Sequence, residues 1–370
     1  MSGNDCFLVG YYGMRNTGDD ALLAVASWGI QRFLGPKNIF VTAAKVPEIP
    51  SREKLVPVYA ASPRFPGENG LRAYFRSARC ASVVFGGGSV FQSVENMKTA
   101  RRFLTLSGAG PKLALGVSIG PFRNGASEKE CGKLLRLFDY VGVRDAESKA
   151  TASGMSPDVP CEKTFDLAVL MRRIVSPTDP PPNKERRRGL GFALCDYDRF
   201  VGGNPHRDEE RRRKWKELVS GLNPDEVEEL VFLEFNGHPI FGDGGLIRDV
   251  SSAAPRIPVR RVSYSSDPFL FLQVIQSLRG LVAMRLHAGI YAYLTNTPFL
   301  LVSYHAKCRA WAREVGMPSE RLLDGESFEI DRIRPSISDL LAGKHGTCSL
   351  DLSTAEENAM RNWCCLQSHE

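Results

Sequence analysis

Residues 281–304 read LVAMRLHAGIYAYLTNTPFLLVSY. With the preceding glycine, GLVAM is a short buried strand, AGIYAYLTN a helix, and TPFLLVSY the next strand. A strand, a helix and a second strand in so short a span make a parallel crossover. Inside this largely apolar run stand one arginine and one histidine, Arg285 and His287, where strand hands over to helix. Period-2 alternation places both on one side of the strand's carboxyl edge. The next strand's edge adds Ser303, Tyr304 and Lys307. A lone histidine here is ordinarily a satisfied structural residue. Beside an arginine and a lysine it reads as an acid–base group next to an anion site.

The same alternation runs along the rest of the chain. CFLVGYYG, NIFVTAA, ASVVFGGG, KLALGVSIG and YVGVRD are strands of a first half. GLGFALC, ELVFLEF, RIPVRRVSY, GLVAMRL and PFLLVSY are strands of a second. Helical stretches such as DDALLAVASWGIQRFL, GLRAYFRSAR and EKECGKLLRLFDY stand between them. This order predicts an α/β protein with parallel sheets covered on both faces. The string SPTDPPPNKERRR (176–188) cannot lie in a central strand or helix and reads as a semi-rigid linker. The expected organisation is an N-terminal Rossmann-like domain (1–175), a C-terminal one (187–345) facing it across a cleft, and a terminal helix and tail (350–370).

Composition sets the class. The chain has 370 residues, 43% hydrophobic and 24% charged, with a net charge of +6. No apolar run reaches the roughly 18 residues of a membrane span, and the first residues lack a signal-peptide pattern, so a cytoplasmic protein is expected. Nine cysteines stand scattered with no CxxC pair and no histidine at ligand spacing. Disulfides, metal sites and metal cofactors are therefore not expected. The basic stretches KERRR (184–188) and RDEERRRKWK (207–216) allow an anionic partner or an acidic membrane surface. Interleaved acids make the second a solvated helix face by default. No aromatic-studded basic stripe points to nucleic acid.

In parallel α/β sheets ligands bind beyond the carboxyl ends of the strands, so the residues there are the candidates. After the first strand, GYYGMRNTGDDALL offers a glycine-rich turn and a helix start with Asn16, Asp19 and Asp20. The spacing matches neither GxGxxG nor a P-loop, and Thr17 or Asp19 acting as a plain helix cap is the simpler alternative. After ASVVF come Gly86, Gly87 and Gly88, then Ser89 and Gln92. Three consecutive glycines are costly in regular structure and fit a close approach by a ligand or another backbone, or a plain tight turn. Arg144, after YVGV, either pairs with Asp145 or grips an oxyanion with its planar fork. His206 is a surface residue or a second acid–base group.

Taken in order, GYYGMRNTGDDALL, FGGGSVFQ, GVSIGPF, VGVRDAESK, TFDLAVL, AMRLHAGIYA and SYHAKCRAW resemble the polysaccharide pyruvyl transferase family. The resemblance runs from about residue 8 to about 312. It implies a glycosyltransferase-B-like fold and an enzyme that moves the pyruvate unit of phosphoenolpyruvate onto two hydroxyls of a sugar. The resulting ketal belongs to an exopolysaccharide or cell-surface polysaccharide. By this resemblance Arg144 and Arg285 bind the donor's carboxylate and phosphate, Lys307 is a further phosphate contact, and His287 is the catalytic acid–base. Ser303, at the same strand edge as Lys307, is a further donor-contact candidate. No cofactor is implied beyond the donor substrate. The acceptor is a sugar, with a lipid-pyrophosphate-linked oligosaccharide and peripheral attachment to the inner membrane face as further expectations. The sequence departs from the family at Asp20, where glutamate is frequent, and at Phe165 and Leu167 around Asp166. The segment CDYDRFVGGNPHRDEERRR has no counterpart.

The chemistry suits the residues. A proton must reach the enol methylene carbon as a sugar hydroxyl attacks its neighbour, phosphate leaves, and a second hydroxyl closes the ring. Fixed cations serve the doubly anionic donor, and histidine exchanges protons near neutrality. Two rival readings are a nucleotide-sugar glycosyltransferase, with Glu234 or Asp243 holding ribose, and a non-catalytic partner in polysaccharide assembly.

Overall fold

The computed structural model describes residues 3–49, 54–122, 124–174, 187–201, 203–254, 256–325, 329–344 and 346–366. The proline-rich linker lies outside these residues as far as position 186. By their contacts the residues form two units, Met1–Met14 with Asp19–Ser176 and Ser353–Glu370, and Arg15–Gly18 with Pro177–Leu352.

The first unit is built from β1 (Gly3–Val9), α1 (Thr17–Leu34), β2 (Ile39–Val41), β3 (Leu55–Pro57), α2 (Glu68–Ser77), β4 (Cys80–Phe91), α3 (Val94–Leu106), β5 (Lys112–Ile119), α4 (Gly125–Leu135), β6 (Tyr140–Val143), α5 (Ala146–Met155), β7 (Cys161–Lys163) and α6 (Met171–Ile174). Its seven strands run parallel in the order β3-β2-β1-β4-β5-β6-β7. Every residue of β2 and β6 is buried, as expected of strands covered on both faces. Helices start where sequence chemistry allows. Ser93, Asn124 and Asp145 each accept the amide three residues on, capping α3, α4 and α5. Phe85, Phe91 and Phe138 pack edge on or tilted within 5.9 Å of one another at the centre of the core.

The triple glycine corrects the sequence reading. Gly86, Gly87 and Gly88 form neither a turn nor a loop, since β4 runs through them to Phe91. Gly87 and Gly88 take φ of +84° and +83°, open to glycine, and the register with β5 shifts between Gly88 and Phe91. The close approach is made by the protein itself. A Cβ on Gly86 would collide with the Tyr12 hydroxyl and stand 2.7 Å from Ala26 Cβ, and one on Gly87 would stand 2.9 Å from Leu22.

The second unit comprises β8 (Leu190–Ala193), α7 (Asp198–Val201), α8 (Pro205–Ser220), β9 (Leu230–Leu233), α9 (Gly244–Ser251), β10 (Val259–Val262), α10 (Pro268–Gln276), β11 (Gly280–Ala283), α11 (Leu286–Leu294), β12 (Phe299–Ser303), α12 (Ala306–Glu314), β13 (Leu322–Asp324) and α13 (Ile330–Leu341). The sheet order β10-β9-β8-β11-β12-β13 is that of a dinucleotide fold, with the direction of strand addition reversing between β8 and β11. The chain then forms α14 (Leu352–Met360) and a 3-10 turn over Arg361–Leu366. That tail serves the first unit. Buried Asn362 accepts from Gly116 N at 2.7 Å and Thr164 Oγ1 at 2.9 Å, and donates to Phe165 O at 3.2 Å.

The face RDEERRRKWK is less solvated than its charge suggests. Asp208 and Trp215 are buried, and buried Arg211 bridges Asp208 at 3.0 Å and Asp198 at 2.7 Å. Asp208 also accepts the backbone amides of Tyr197, Asp198 and Arg199, fixing the chain ahead of α8.

Candidate active site

The strand-order reversal of the second unit brings Arg285 and His287 to the place where this fold binds ligands. The backbone amides of Met284 and Arg285 both donate to Ala193 O, tying the end of β11 to the end of β8. The strand stops at Ala283. Arg285 is the N-cap residue of α11, and His287 lies in the helix's first turn. Their proximity therefore comes from a helix start, not from strand alternation.

Arg285 directs Nε at 3.1 Å to one oxygen of Asp243, and a terminal nitrogen pairs with the other. Asp243 is 1% exposed and also accepts Asn236 N at 2.9 Å, while a fifth of the Arg285 side chain remains accessible. Burial pushes the Asp243 carboxyl above its ordinary range, against the pull of Arg285. Burial works against the guanidinium charge too, but Asp243, Cys195 and Tyr304 together outweigh it and raise Arg285 further. Arg285 is a permanent cation, and the fork expected for a ligand is half occupied by its own aspartate. Asp243 is thereby withdrawn from any ribose role. Glu234 is engaged as well, accepting Tyr264 N at 3.1 Å.

The NTG part of the first glycine-rich loop belongs to this unit. Thr17 N donates to Phe235 O at 2.9 Å and Gly237 N to Arg15 O at 2.8 Å, and Asn16 and Asn236 form an antiparallel bridge. Arg15 takes φ +60° with its guanidinium over the Tyr264 ring, and Tyr291 Oη donates to Thr17 O at 3.3 Å. This strand-like clasp sets Gly18 against the imidazole of His287. A Cβ on Gly18 would stand 2.5 Å from the ring's Cγ and closer to Nδ1. Asn16 Oδ1 accepts Gly18 N at 3.1 Å and fixes the turn.

At the neighbouring strand end, Ser303 is buried with its hydroxyl 3.5 Å from His305 O. His305 caps α12, its Nδ1 accepting Lys307 N at 3.1 Å, so the ring presents Nε2 as its donor edge. The Lys307 ammonium stands 5.7 Å from the Tyr304 ring centre. Tyr197 packs edge-on against Tyr304 at 4.7 Å, and both line a cavity of about 180 Å³ shared with Arg207, Arg211 and Lys214. Asp243 and His305 carry more of this site than the sequence reading gave them. A histidine directly after a buried strand, two residues ahead of a helical amide, was the available signal for His305. Asp243, read only as a possible ribose ligand, lies 42 residues from Arg285, and no local pattern joins the two.

In the first unit Arg144 follows β6 and is 7% exposed. Nη1 donates to Asp166 at 2.8 Å, Nε to Ser118 at 2.6 Å and Nη2 to Ser89 at 3.4 Å. Its ion pair is with Asp166, whereas the nearest Asp145 oxygen is 4.0 Å away because Asp145 caps α5. Asp20 is fully buried, Asp19 is partly buried and Gln92 is exposed. At the strand-order reversal between β1 and β4 lies a groove of about 470 Å³. Tyr11, Tyr59, Phe85 and Phe103 line it with Asn69 and Asn96, and Tyr11 Oη accepts from Asn96 at 2.9 Å. His206 is 86% exposed on α8, paired with Glu209 at 3.3 Å, and so is a surface residue.

Among the described residues no three His, Cys, Asp or Glu side chains group to hold a metal ion. No described helix is long and apolar enough to cross a membrane.

Two Rossmann-like sheets of this order define a glycosyltransferase-B-type fold, and solved structures agree. The UDP-GlcNAc 2-epimerase of Neisseria meningitidis, bound to UDP-GlcNAc, aligns at a TM-score of 0.62 with 10% identity, covering 98% of both chains. The Methanocaldococcus jannaschii UDP-GlcNAc 2-epimerase gives 0.60 at 12% identity, covering 96% of this chain and 98% of its own. The lipopolysaccharide outer core galactosyltransferase WaaB gives 0.55 at 11% identity, covering 98% and 99%. A comparison with curated proteins finds no match. The polysaccharide pyruvyl transferase family model matches residues 16–306, from the Asn16 clasp to the start of α12. The chain belongs to that family.

Proposed function

We propose that this transferase takes phosphoenolpyruvate as donor and forms a pyruvate ketal on two hydroxyls of one sugar during polysaccharide synthesis. The observation that carries the reading is the start of α11. There an arginine held by a buried aspartate and a histidine held against Gly18 share one helical turn at the strand-order reversal. The accessible side of Arg285 and the ammonium of Lys307 suit the donor's carboxylate and phosphate. His287 gives a proton to the methylene carbon as the first sugar hydroxyl bonds to the adjacent carbon. The carbon–oxygen bond to phosphate breaks, the second hydroxyl bonds to the same carbon, and the ring closes. Of the two hydroxyl protons, one restores His287 and the other leaves with phosphate.

Arg144 has a different part. With Asp166 and Ser118 already on its nitrogens, it is assigned to shaping the end of β6 and orienting Ser89, with donor binding left to the second unit. The aromatic groove of the first unit suits the apolar face of a sugar, with Asn69 and Asn96 toward its hydroxyls.

The test is incubation with phosphoenolpyruvate and a panel of sugar acceptors, read by mass spectrometry and phosphate release. One pyruvyl addition per phosphate is expected. In deuterated water the ketal methyl group should carry deuterium. Sugar-nucleotide consumption without any need for phosphoenolpyruvate would overturn the proposal.

A further inference from the structure

Helix α2 presents an apolar face that the described residues of its own unit leave largely exposed. Leu71 and Phe75, one turn apart, are each 59% exposed, and Phe65 just ahead of the helix is 49% exposed. Ala73 and Ser77 bury the opposite side. Between residues 64 and 79 stand four arginines (Arg64, Arg72, Arg76, Arg79) against one acid, Glu68, a net of three positive charges. Arg79 lies 3.6 Å over the Phe75 ring, and Arg72 meets Glu68 at 3.1 Å. Arg76 instead packs over the Phe40 ring, and Arg72 also donates to Val58 O at 3.0 Å. The result is a compact apolar patch rimmed by Arg64, Arg79 and the Arg72–Glu68 pair.

We propose that α2 and the loop at 63–67 dock on an anionic lipid bilayer. Phenylalanine and leucine side chains enter the headgroup boundary, while guanidinium groups remain at the level of the lipid phosphates. Charge complementarity selects this occupant. A symmetric pairing of two copies would set arginines against arginines, whereas an anionic leaflet attracts each of them. One short helix gives weak, reversible attachment. The surface also adjoins the aromatic groove, because Ala60, Ala61, Pro63 and Asn69 line that groove. Docking thus places the groove mouth near lipid headgroups, as a lipid-linked acceptor requires. That last point rests on the pyruvyl-transfer reading, whereas the docking does not.

The full chain is sedimented with vesicles of phosphatidylglycerol and phosphatidylcholine, and with phosphatidylcholine alone, in the absence of phosphoenolpyruvate. Binding to the anionic vesicles, weakened by added salt, is expected. Leu71→Ser with Phe75→Ser should weaken it about tenfold or more. Arg64→Gln and Arg79→Gln should each cost about fivefold. These positions are exposed, so unfolding midpoints should stay at the wild-type value. Arg213→Gln, on the exposed side of α8, should bind as wild type. The proposal is overturned by absent binding to anionic vesicles, by wild-type binding of the double serine variant, or by an equal loss in Arg213→Gln. Transfer to a soluble acceptor should be unchanged in the α2 variants, which separates this test from that of the reaction.

Discussion

The imidazole of His287 rests against the Cα of Gly18, with no room for a methyl group between them. Gly18→Ala should therefore displace the ring without touching the donor cations. Turnover should fall about tenfold or more, toward the loss given by removing His287 itself. Steady-state rates at saturating phosphoenolpyruvate check this, and an unchanged rate would show that the contact does not set the histidine's position.

His287→Asn keeps a polar side chain of similar reach and removes the proton donor. Turnover should drop by roughly 10² to 10⁴, with donor affinity by calorimetry little changed. Parallel losses of affinity and rate would reassign His287 to binding.

Arg285 and Asp243 form a largely buried pair, so removing one partner leaves the other uncompensated. Asp243→Ala should destabilise the protein by about 3 to 5 kcal/mol. Arg285→Lys should recover part of the stability and little of the donor affinity, since an ammonium cannot span both carboxylate oxygens as the guanidinium does. Denaturant titration and calorimetry on the same variants separate the two effects.

Gly86→Ala should destabilise the first unit by about 1 to 3 kcal/mol, because the new methyl meets Tyr12 Oη and Ala26 Cβ inside a packed core. Tyr12→Phe alone removes the 2.8 Å bond to Gly86 O and should cost about 1 kcal/mol. In the double variant the loss should be less than the sum, because a phenylalanine ring lacks the hydroxyl that clashes. A full sum in a double-mutant cycle would place the strain at Ala26.

Burial pushes the thiols of Cys131 and Cys195 up to about 12, and that of Cys6 upward as well. These thiols should resist alkylation in the folded protein at pH 8 and react once it is unfolded. The unfolded chain loses thiol protons near pH 8.5, whereas the folded chain retains them. Stability held below that pH is therefore lost as pH climbs from about 8.5 toward 12. Denaturation midpoints measured across this range, with Cys195→Ala as reference, should show the decline.

Local physics made the elements legible. The strand at 280–283, the helix after it and the strand at 299–303 follow from short apolar runs broken by polar residues, and repetition of that unit implies parallel sheets. Strand ends could be searched for function because the fold rule needs no coordinates, and it led to Arg285, His287, Ser303 and Lys307. Periodicity was less reliable at the crossing itself. It carried strand alternation past the end of β11 to pair Arg285 with His287, where backbone hydrogen bonding had already turned to helix, and it ended β4 at glycines that the strand tolerates through positive φ.

The charges at a strand end declare themselves along the chain, but their partners do not. Arg144 and Arg285 each meet an aspartate that is 1% exposed, Asp166 at a distance of 22 residues and Asp243 at 42. Propensity and spacing act over a few residues, whereas these ion pairs form because the sheet closes loops that no local pattern connects. For the same reason residues 15–18 read as part of the first glycine-rich turn, yet their backbone bonds to Phe235 and Gly237 join them to the second unit. Sequence carried the alternation, the chemistry of the side chains and the family. Tertiary packing chose which aspartate holds each arginine and which glycine the histidine leans on, because burial rewards complementary contacts regardless of their separation along the chain.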